Sequence, residues 1–208
     1  MKEGRAAFAA NFDVSRETMD ALDAYELLLV KWNRRINLVA PRSLDALWTR
    51  HFADSAQIFD ISPDSSQSWA DLGSGGGFPG AVIAILARDS RPNLKVTLVE
   101  SDQRKAAFLR ALSRETSAPY DVIDRRVESL DPMACDVVSA RALAPLPELL
   151  GYAATHLNKH GIAILPKGAN AASEVELARK TWSFTIQSYP SMTDPQAAIL
   201  KIGEIKRV

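Results

Sequence analysis

Ser68-Trp69-Ala70-Asp71-Leu72-Gly73-Ser74-Gly75-Gly76-Gly77-Phe78-Pro79-Gly80 couples a short apolar run to a glycine-rich turn, and Ala81-Val82-Ile83-Ala84-Ile85-Leu86 continues it with helix-forming apolar residues. Glycine has no Cβ, reaches positive φ cheaply and lets a backbone come close to a ligand. Glycines at alternate positions 73, 75 and 77 make a floor of that kind, and Pro79 stands where a first helical turn tolerates a missing N–H. The unit reads strand, loop, helix, the pattern of a loop that admits a nucleotide-type cofactor. A glycine-rich turn with no ligand is the alternative, but four glycines in five residues weaken helix and strand alike for no packing return.

The next strand signal, Lys95-Val96-Thr97-Leu98-Val99, ends at Glu100. That carboxylate follows the loop at about 20 residues, the spacing of an acid that holds ribose hydroxyls. A dinucleotide fingerprint wants glycine at its first, third and sixth positions, and the sixth position counted from Gly73 is Phe78. The run from Asp71 to Gly77 has instead the spacing Asp-x-Gly-x-Gly-x-Gly, which resembles the first motif of class I S-adenosylmethionine methyltransferases. An acid at the strand end, Asp71, suits a cofactor with an ammonium and a sulfonium and repels phosphates. Asp71, Gly73, Gly75, Gly77, Phe78 and Glu100 are therefore candidate contacts to S-adenosyl-L-methionine.

Outward from the loop, the chain alternates. A helix is expected from about Gln103 to Thr116, a strand from Tyr120 to Asp124, a strand from Cys135 to Ala140, a helix from Pro147 to His156, a strand from Ile162 to Leu165 and a helix from about Asn170 to Lys180. Ser183–Gln187 and Ala198–Ile202 then follow with no helix between them and should pair antiparallel. This is the rhythm of a mostly parallel α/β sheet with helices on both faces. Its final reversal is similar to the class I methyltransferase fold, in which the sheet has seven strands and an antiparallel last strand. Upstream, Met19, Leu22, Tyr25, Leu29, Trp32 and Ile36 form one stripe of an amphipathic helix ending near Asn37. Ser43 offers an N-cap for a second helix carrying Leu44, Leu47, Trp48 and His51, and residues 60–68 form a polar linker. The expected organisation is a helical extension over 1–62 and a cofactor-binding domain over 63–208.

At 208 residues the chain suffices for one substantial core, with 47% hydrophobic and 24% charged residues. No apolar run reaches the roughly 18 residues of a membrane span, and the first 30 residues have no signal pattern, so a cytoplasmic protein is expected. The single Cys135 excludes an internal disulfide and reads as a buried strand residue. His156 and His160 lack a third metal ligand, so no metal is expected, and they read as helix-terminal cations. Net charge is zero, yet Lys31, Arg34, Arg35, Arg42 and Arg50 face only Asp45 between residues 31 and 50. Such clustering makes either a basic face for a polyanion or a solvated helix end. Ligands of open α/β sheets sit beyond the carboxyl ends of strands, which adds Val127, Glu128, Arg141 and Lys167.

Taken together, Asn37-Leu38, Arg50-His51 with Asp54-Ser55, the run from Asp71 to Gly80, Lys105-x-x-Phe108-Leu109, Arg126-Val127-Glu128 and Ser139-Ala140-Arg141-Ala142 resemble the RsmG family, also called glucose-inhibited division protein B. The likeness runs from about Trp32 to Lys167, and the continuation of the glycines into Phe-Pro-Gly makes it specific. The resemblance implies transfer of a methyl group from S-adenosylmethionine to guanine N7 in a loop of bacterial 16S ribosomal RNA, with that RNA or the small ribosomal subunit as partner. It places Gly73, Phe78, Val127, Glu128 and Arg141 around the cofactor; a monomer is expected. Guanine N7 has a free lone pair and loses no proton on methylation, so no general base is named. Arg34, Arg35, Arg42, Arg50 and Lys167 are the candidates for phosphate or substrate contact. A small-molecule methyltransferase, an NAD-dependent oxidoreductase and a cofactor-binding protein without catalysis are the alternatives; the missing sixth glycine and the lack of a Tyr-x-x-x-Lys pair disfavour the oxidoreductase.

Overall fold

The computed structural model describes residues 2–208. Seven strands, β1 (Ser68–Leu72), β2 (Lys95–Val99), β3 (Tyr120–Ile123), β4 (Cys135–Ala140), β5 (Leu157–Lys167), β6 (Trp182–Pro190) and β7 (Ala198–Arg207), form one sheet in the order β3-β2-β1-β4-β5-β7-β6. The first five pair in parallel, and β7 pairs antiparallel with both β5 and β6. Because side chains alternate across a strand, Trp69, Leu98, Val137 and Ile164 enter one apolar layer, while Ala70, Val99, Val138 and Leu165 enter the other. Both faces are thus covered, which a parallel sheet requires.

The first layer holds most of the helices: α1 (Lys2–Asn11), α2 (Arg16–Asn33), α3 (Pro41–Leu44), α4 (Ala53–Asp60), α5 (Gly80–Ser90) and α6 (Gln103–Thr116). On the opposite face lie α7 (Leu146–His156) and α8 (Ala171–Ala178). Residues 2–62 share one hydrophobic cluster with the sheet: Phe8, Leu22, Tyr25 and Phe52 pack in the same layer as Ile83, Ile85 and Phe108. Among the described residues no helix is long and apolar enough to cross a membrane.

The expected alternation is present, and the departures have local causes. The α2 helix stops at Asn33 rather than Asn37 because the Asn33 side chain turns the chain, its Oδ1 accepting from Leu38 N (2.9 Å) and Val39 N (3.0 Å). The second helix does not start from a Ser43 cap: Ser43 Oγ donates to Ala40 O (2.7 Å), and the backbone passes through a six-residue π-helical segment, Leu47–Phe52, into α4. The wide π turn buries Leu47, Trp48, His51 and Phe52 together. Strand β5 begins at Leu157, five residues earlier than periodicity indicates, since Leu157 pairs with Cys135 across an irregular step in the ladder. Cys135 is buried as expected, and burial pushes its thiol up to about 11. His156 is no helix-terminal cation: it is 1% exposed, and burial lowers its pKa, so it is neutral at pH 7. His160 lies within β5.

Candidate functional site

Parallel pairing brings Leu72 beside Val99 on one side and Ala140 on the other, so the chain leaves β1, β2 and β4 at one level of the sheet. The glycine turn opens there. Gly73 N and Ser74 N both donate to Val99 O (2.8 and 3.0 Å), and Ser74 Oγ donates to Asp71 O (2.9 Å), pinning the turn across two strands. Gly73, Gly75 and Gly77 have φ of 69°, 55° and 93°, the left-handed conformations that an alternating glycine run provides. At Gly77 the requirement is double, for a Cβ would run into the Tyr25 hydroxyl and sit 3.0 Å from Ala81 Cβ. Tyr25, fully buried on α2, donates to Gly76 O (2.5 Å), so the N-terminal helices hold the loop from beneath.

Glu100 closes the other rim. Its Oε2 accepts from Gly75 N (2.8 Å) and its Oε1 from Asp102 N (2.8 Å), fixing a carboxylate at the end of β2 over the turn. An acceptor held there suits ribose hydroxyls, and a glycine floor with a carboxylate rim fits an uncharged nucleoside better than a pyrophosphate. Asp71 is placed differently from the sequence expectation. It is completely buried, accepting from Ser139 Oγ (2.7 Å) on β4 and from Gly80 N (3.2 Å) at the start of α5. Its carboxylate ties strand to helix instead of reaching a cofactor, and burial pushes its pKa up to about 6.

Phe78 likewise belongs to the core. It is 2% exposed, stacked on Tyr25 (centroids 5.2 Å, planes 9° apart) and on the His51 ring (4.9 Å, 25°). The Arg141 guanidinium lies 4.9 Å over the same Phe78 ring. Arg141 Nη1 meets His51 Nδ1 at 2.8 Å. Burial and the adjacent cations Arg141 and Arg50 lower the His51 pKa to about 3. His51 is therefore neutral, with Nδ1 as the acceptor for the guanidinium and the proton on Nε2. Among the described residues Arg141 forms no ion pair and Nη1 is its one donor with a protein partner.

Arg141, His51 and Asp54 line a cleft of about 1020 Å³ together with Arg42, Arg50 and Lys167. Its walls are the 38–46 segment, the π turn with the start of α4, the loop after β4, the end of β5 with the first turn of α8, and the loop before β7 with the strand's first residues. Lys167 is not a free cation there, since its Nζ donates to Glu174 Oε2 (2.8 Å) and Ala144 O (3.1 Å), tethering the loop after β4. Leu143 of that loop covers Gly73, its Cδ1 2.7 Å from where a Cβ would stand. Arg34 and Arg35 are exposed outside this cleft. Arg35 shares a smaller one, about 320 Å³, with Arg104 and Lys105. Val127 is buried beyond β3, and Glu128 points toward α7, its Oε1 accepting from the Tyr152 hydroxyl (2.8 Å). Tyr25 was legible only as one position of an apolar stripe; nothing in its spacing marks a residue that holds the loop.

A model of the family described as GidB, rRNA small subunit methyltransferase G, matches residues 18–200. Ribosomal RNA small subunit methyltransferase G of Ruegeria sp. (strain TM1040) is 49% identical over 208 residues, the full length of both chains. Two solved structures share the architecture. A methyltransferase from Geobacter sulfurreducens has a TM-score of 0.59 at 11% identity, covering 87% of this chain and 88% of that one. M. jannaschii TYW2 in complex with AdoMet has a TM-score of 0.56 at 11% identity, covering 84% and 80%. With the glycine turn, its carboxylate rim and a full-length match agreeing, the chain belongs to the rRNA small subunit methyltransferase G family of S-adenosylmethionine-dependent methyltransferases.

Proposed function

We propose that this enzyme methylates guanine N7 in a loop of 16S ribosomal RNA, in the cytoplasm where small subunits are made. The observation that carries the reading is the position of Arg141, beside the glycine turn through the Leu72–Ala140 pairing and at the same time in the wall of the basic cleft. Gly73, Gly75 and Gly77 would form the floor under the cofactor, with Glu100 on its ribose and the backbone around Val127 beyond β3 flanking the base. S-adenosylmethionine, when bound, supplies an electrophilic methyl group on sulfur. The protein's own part is to bring a splayed-out base into the cleft, exclude water and hold N7 in line with that methyl. Since N7 has a lone pair and no proton to lose, positioning suffices, and no side chain has to act as a base.

We further propose that residues 1–62 are the helical extension that presents RNA with cations, and that 63–208 form the methyltransferase domain. Arg42 and Arg50 in the cleft wall and the exposed Arg34 and Arg35 are the phosphate contacts. Lys167 acts through the loop it tethers. Labelled S-adenosylmethionine is incubated with small ribosomal particles, with free 16S rRNA and with a panel of small-molecule acceptors, and the product base is mapped. Label at N7 of one guanine is the expected result; label on a small molecule or at another atom refutes the proposal. Joint replacement of Arg34, Arg35, Arg42 and Arg50 by Ala should reduce the slope of log affinity against log salt by up to about 3.

A further inference from the structure

Arg141 and His51 come from distant parts of the chain and meet through one short contact. Arg141 is the first residue past β4, beside the glycine turn, and Ala142 after it has φ of 54°, so the backbone leaves the sheet through a left-handed turn. An arginine on such a loop has many rotamers and ends in a rigid fork of N–H donors. Phe78 and His51 fix that fork. The Phe78 ring lies 4.9 Å from the guanidinium carbon and sets its plane, while His51 Nδ1, 2.8 Å from Nη1, sets its rotation. The imidazole is itself fixed: it is buried, stacked on Phe78 at 4.9 Å, and the His51 carbonyl accepts from Ser55 Oγ (2.7 Å), which ties the π turn to α4.

The kind of partner decides what the arginine can do. A carboxylate in the place of His51 would hold the guanidinium and cancel its charge, whereas a neutral imidazole orients it and leaves the charge intact. The anionic group of S-adenosylmethionine is the carboxylate of its amino-acid tail, and a guanidinium recognises a carboxylate through paired N–H donors whose direction has to be right. We propose that His51 is a positioning residue for the cofactor: by accepting from Arg141 Nη1 while stacked on Phe78, it aims the guanidinium at the carboxylate of the cofactor's tail. The inference rests on the place of Arg141 at the cofactor that the family resemblance implies, and it adds a residue of the N-terminal extension, 90 positions away in sequence, to that site. The extension then does more than present cations to RNA. It sets the geometry of the tail pocket.

The test is calorimetry on the full-length enzyme with two ligands, S-adenosylhomocysteine, which carries the tail carboxylate, and methylthioadenosine, which has the nucleoside and no tail. His51→Phe keeps a ring to stack on Phe78 and removes the acceptor; His51→Asn restores an acceptor oxygen near the place of Nδ1 and gives up the stack. His51→Phe should weaken S-adenosylhomocysteine by about 10-fold and leave methylthioadenosine within about 2-fold of the parent. His51→Leu, a second side chain without an acceptor, should show the same split where phenylalanine disturbs the fold. His51→Asn should return S-adenosylhomocysteine affinity to within about 3-fold of the parent. In an Arg141→Ala background, itself weakened for S-adenosylhomocysteine, His51→Phe should cost less than about 2-fold more. A merely structural ring predicts the reverse: phenylalanine tolerated, asparagine harmful and both ligands weakened alike. The inference is overturned by equal loss of both ligands in the phenylalanine and leucine variants, by S-adenosylhomocysteine affinity unchanged in His51→Phe, by asparagine weaker than phenylalanine, or by an undiminished His51→Phe loss in the Arg141→Ala background. Each of these outcomes leaves N7 labelling of small-subunit particles by the parent enzyme, and so the proposed function, untouched; absence of that label removes the proposed function, while the split between the two ligands still decides the role of His51.

Discussion

Gly77→Ala isolates the joint between the N-terminal helices and the glycine turn. Gly77 has φ of 93°, and an alanine there is held in a left-handed conformation at about 1–2 kcal/mol. The added Cβ also meets the Tyr25 hydroxyl, Ala81 Cβ and Leu109 Cδ2, and the group free to give way is the hydroxyl. Moving it breaks the buried bond to Gly76 O, leaving donor and acceptor unsatisfied at roughly 1–3 kcal/mol. Alanine restricts the unfolded chain and returns about 0.4–1 kcal/mol. The net expected destabilisation is about 2–4 kcal/mol, measured by urea unfolding of the parent, Gly77→Ala, Tyr25→Phe and the double variant. Because Tyr25→Phe removes the clashing hydroxyl and forfeits the same bond, the two changes should couple, with the Gly77→Ala penalty smaller by about 1–2 kcal/mol in the phenylalanine background. S-adenosylhomocysteine affinity should weaken in both single variants. Additivity within about 0.5 kcal/mol, or a Gly77→Ala penalty below that figure, would refute the picture of a loop propped by Tyr25.

Asp71 has a folded pKa of about 6, above its ordinary value, so the folded state binds its proton more tightly. Its contribution is most favourable below pH 4 and is lost as pH rises through 6, by up to about 3 kcal/mol; the stability difference between the parent and Asp71→Asn should move in that direction between pH 4 and 7, and a pH-independent difference contradicts it. Nitrogen NMR of His51 at pH 7 should show a neutral ring protonated at Nε2, with no titration down to pH 5; an Nδ1–H tautomer would mean that Arg141 is not held as described. A chain beginning at residue 63 should lack cooperative unfolding and bind a hydrophobic dye, because α2 covers Phe108 and Leu109; a sharp two-state transition would show the extension to be dispensable for folding.

The comparison of sequence with structure divides along the range of the forces involved. Alternating glycines, the apolar strand before them and the acid about 20 residues on are constraints of backbone geometry, and such constraints are written locally, so the turn, its positive φ values, the mostly parallel pairing and the reversed ending were legible in the sequence, while the order of the strands was not. Glu100 stands over the turn because strand length and loop spacing alone bring it there. Asp71, Phe78, Glu128 and Lys167 show what local reading lacks: each lies at a position that adjoins the cleft in sequence, and each spends its side chain on a neighbour from elsewhere, Ser139, Tyr25, Tyr152 and Glu174. No periodicity in residues 16–54 foretells that Tyr25 will meet Gly76, or that His51 will be neutral and turn Arg141, residues 90 positions apart. The sequence by itself determined the fold class and the cofactor turn, because glycine stereochemistry and hydrophobic alternation act over a few residues. Which charges stay free to meet a substrate was decided by the tertiary structure, because burial and long-range pairing set a side chain's charge state and partners only after the layers have packed.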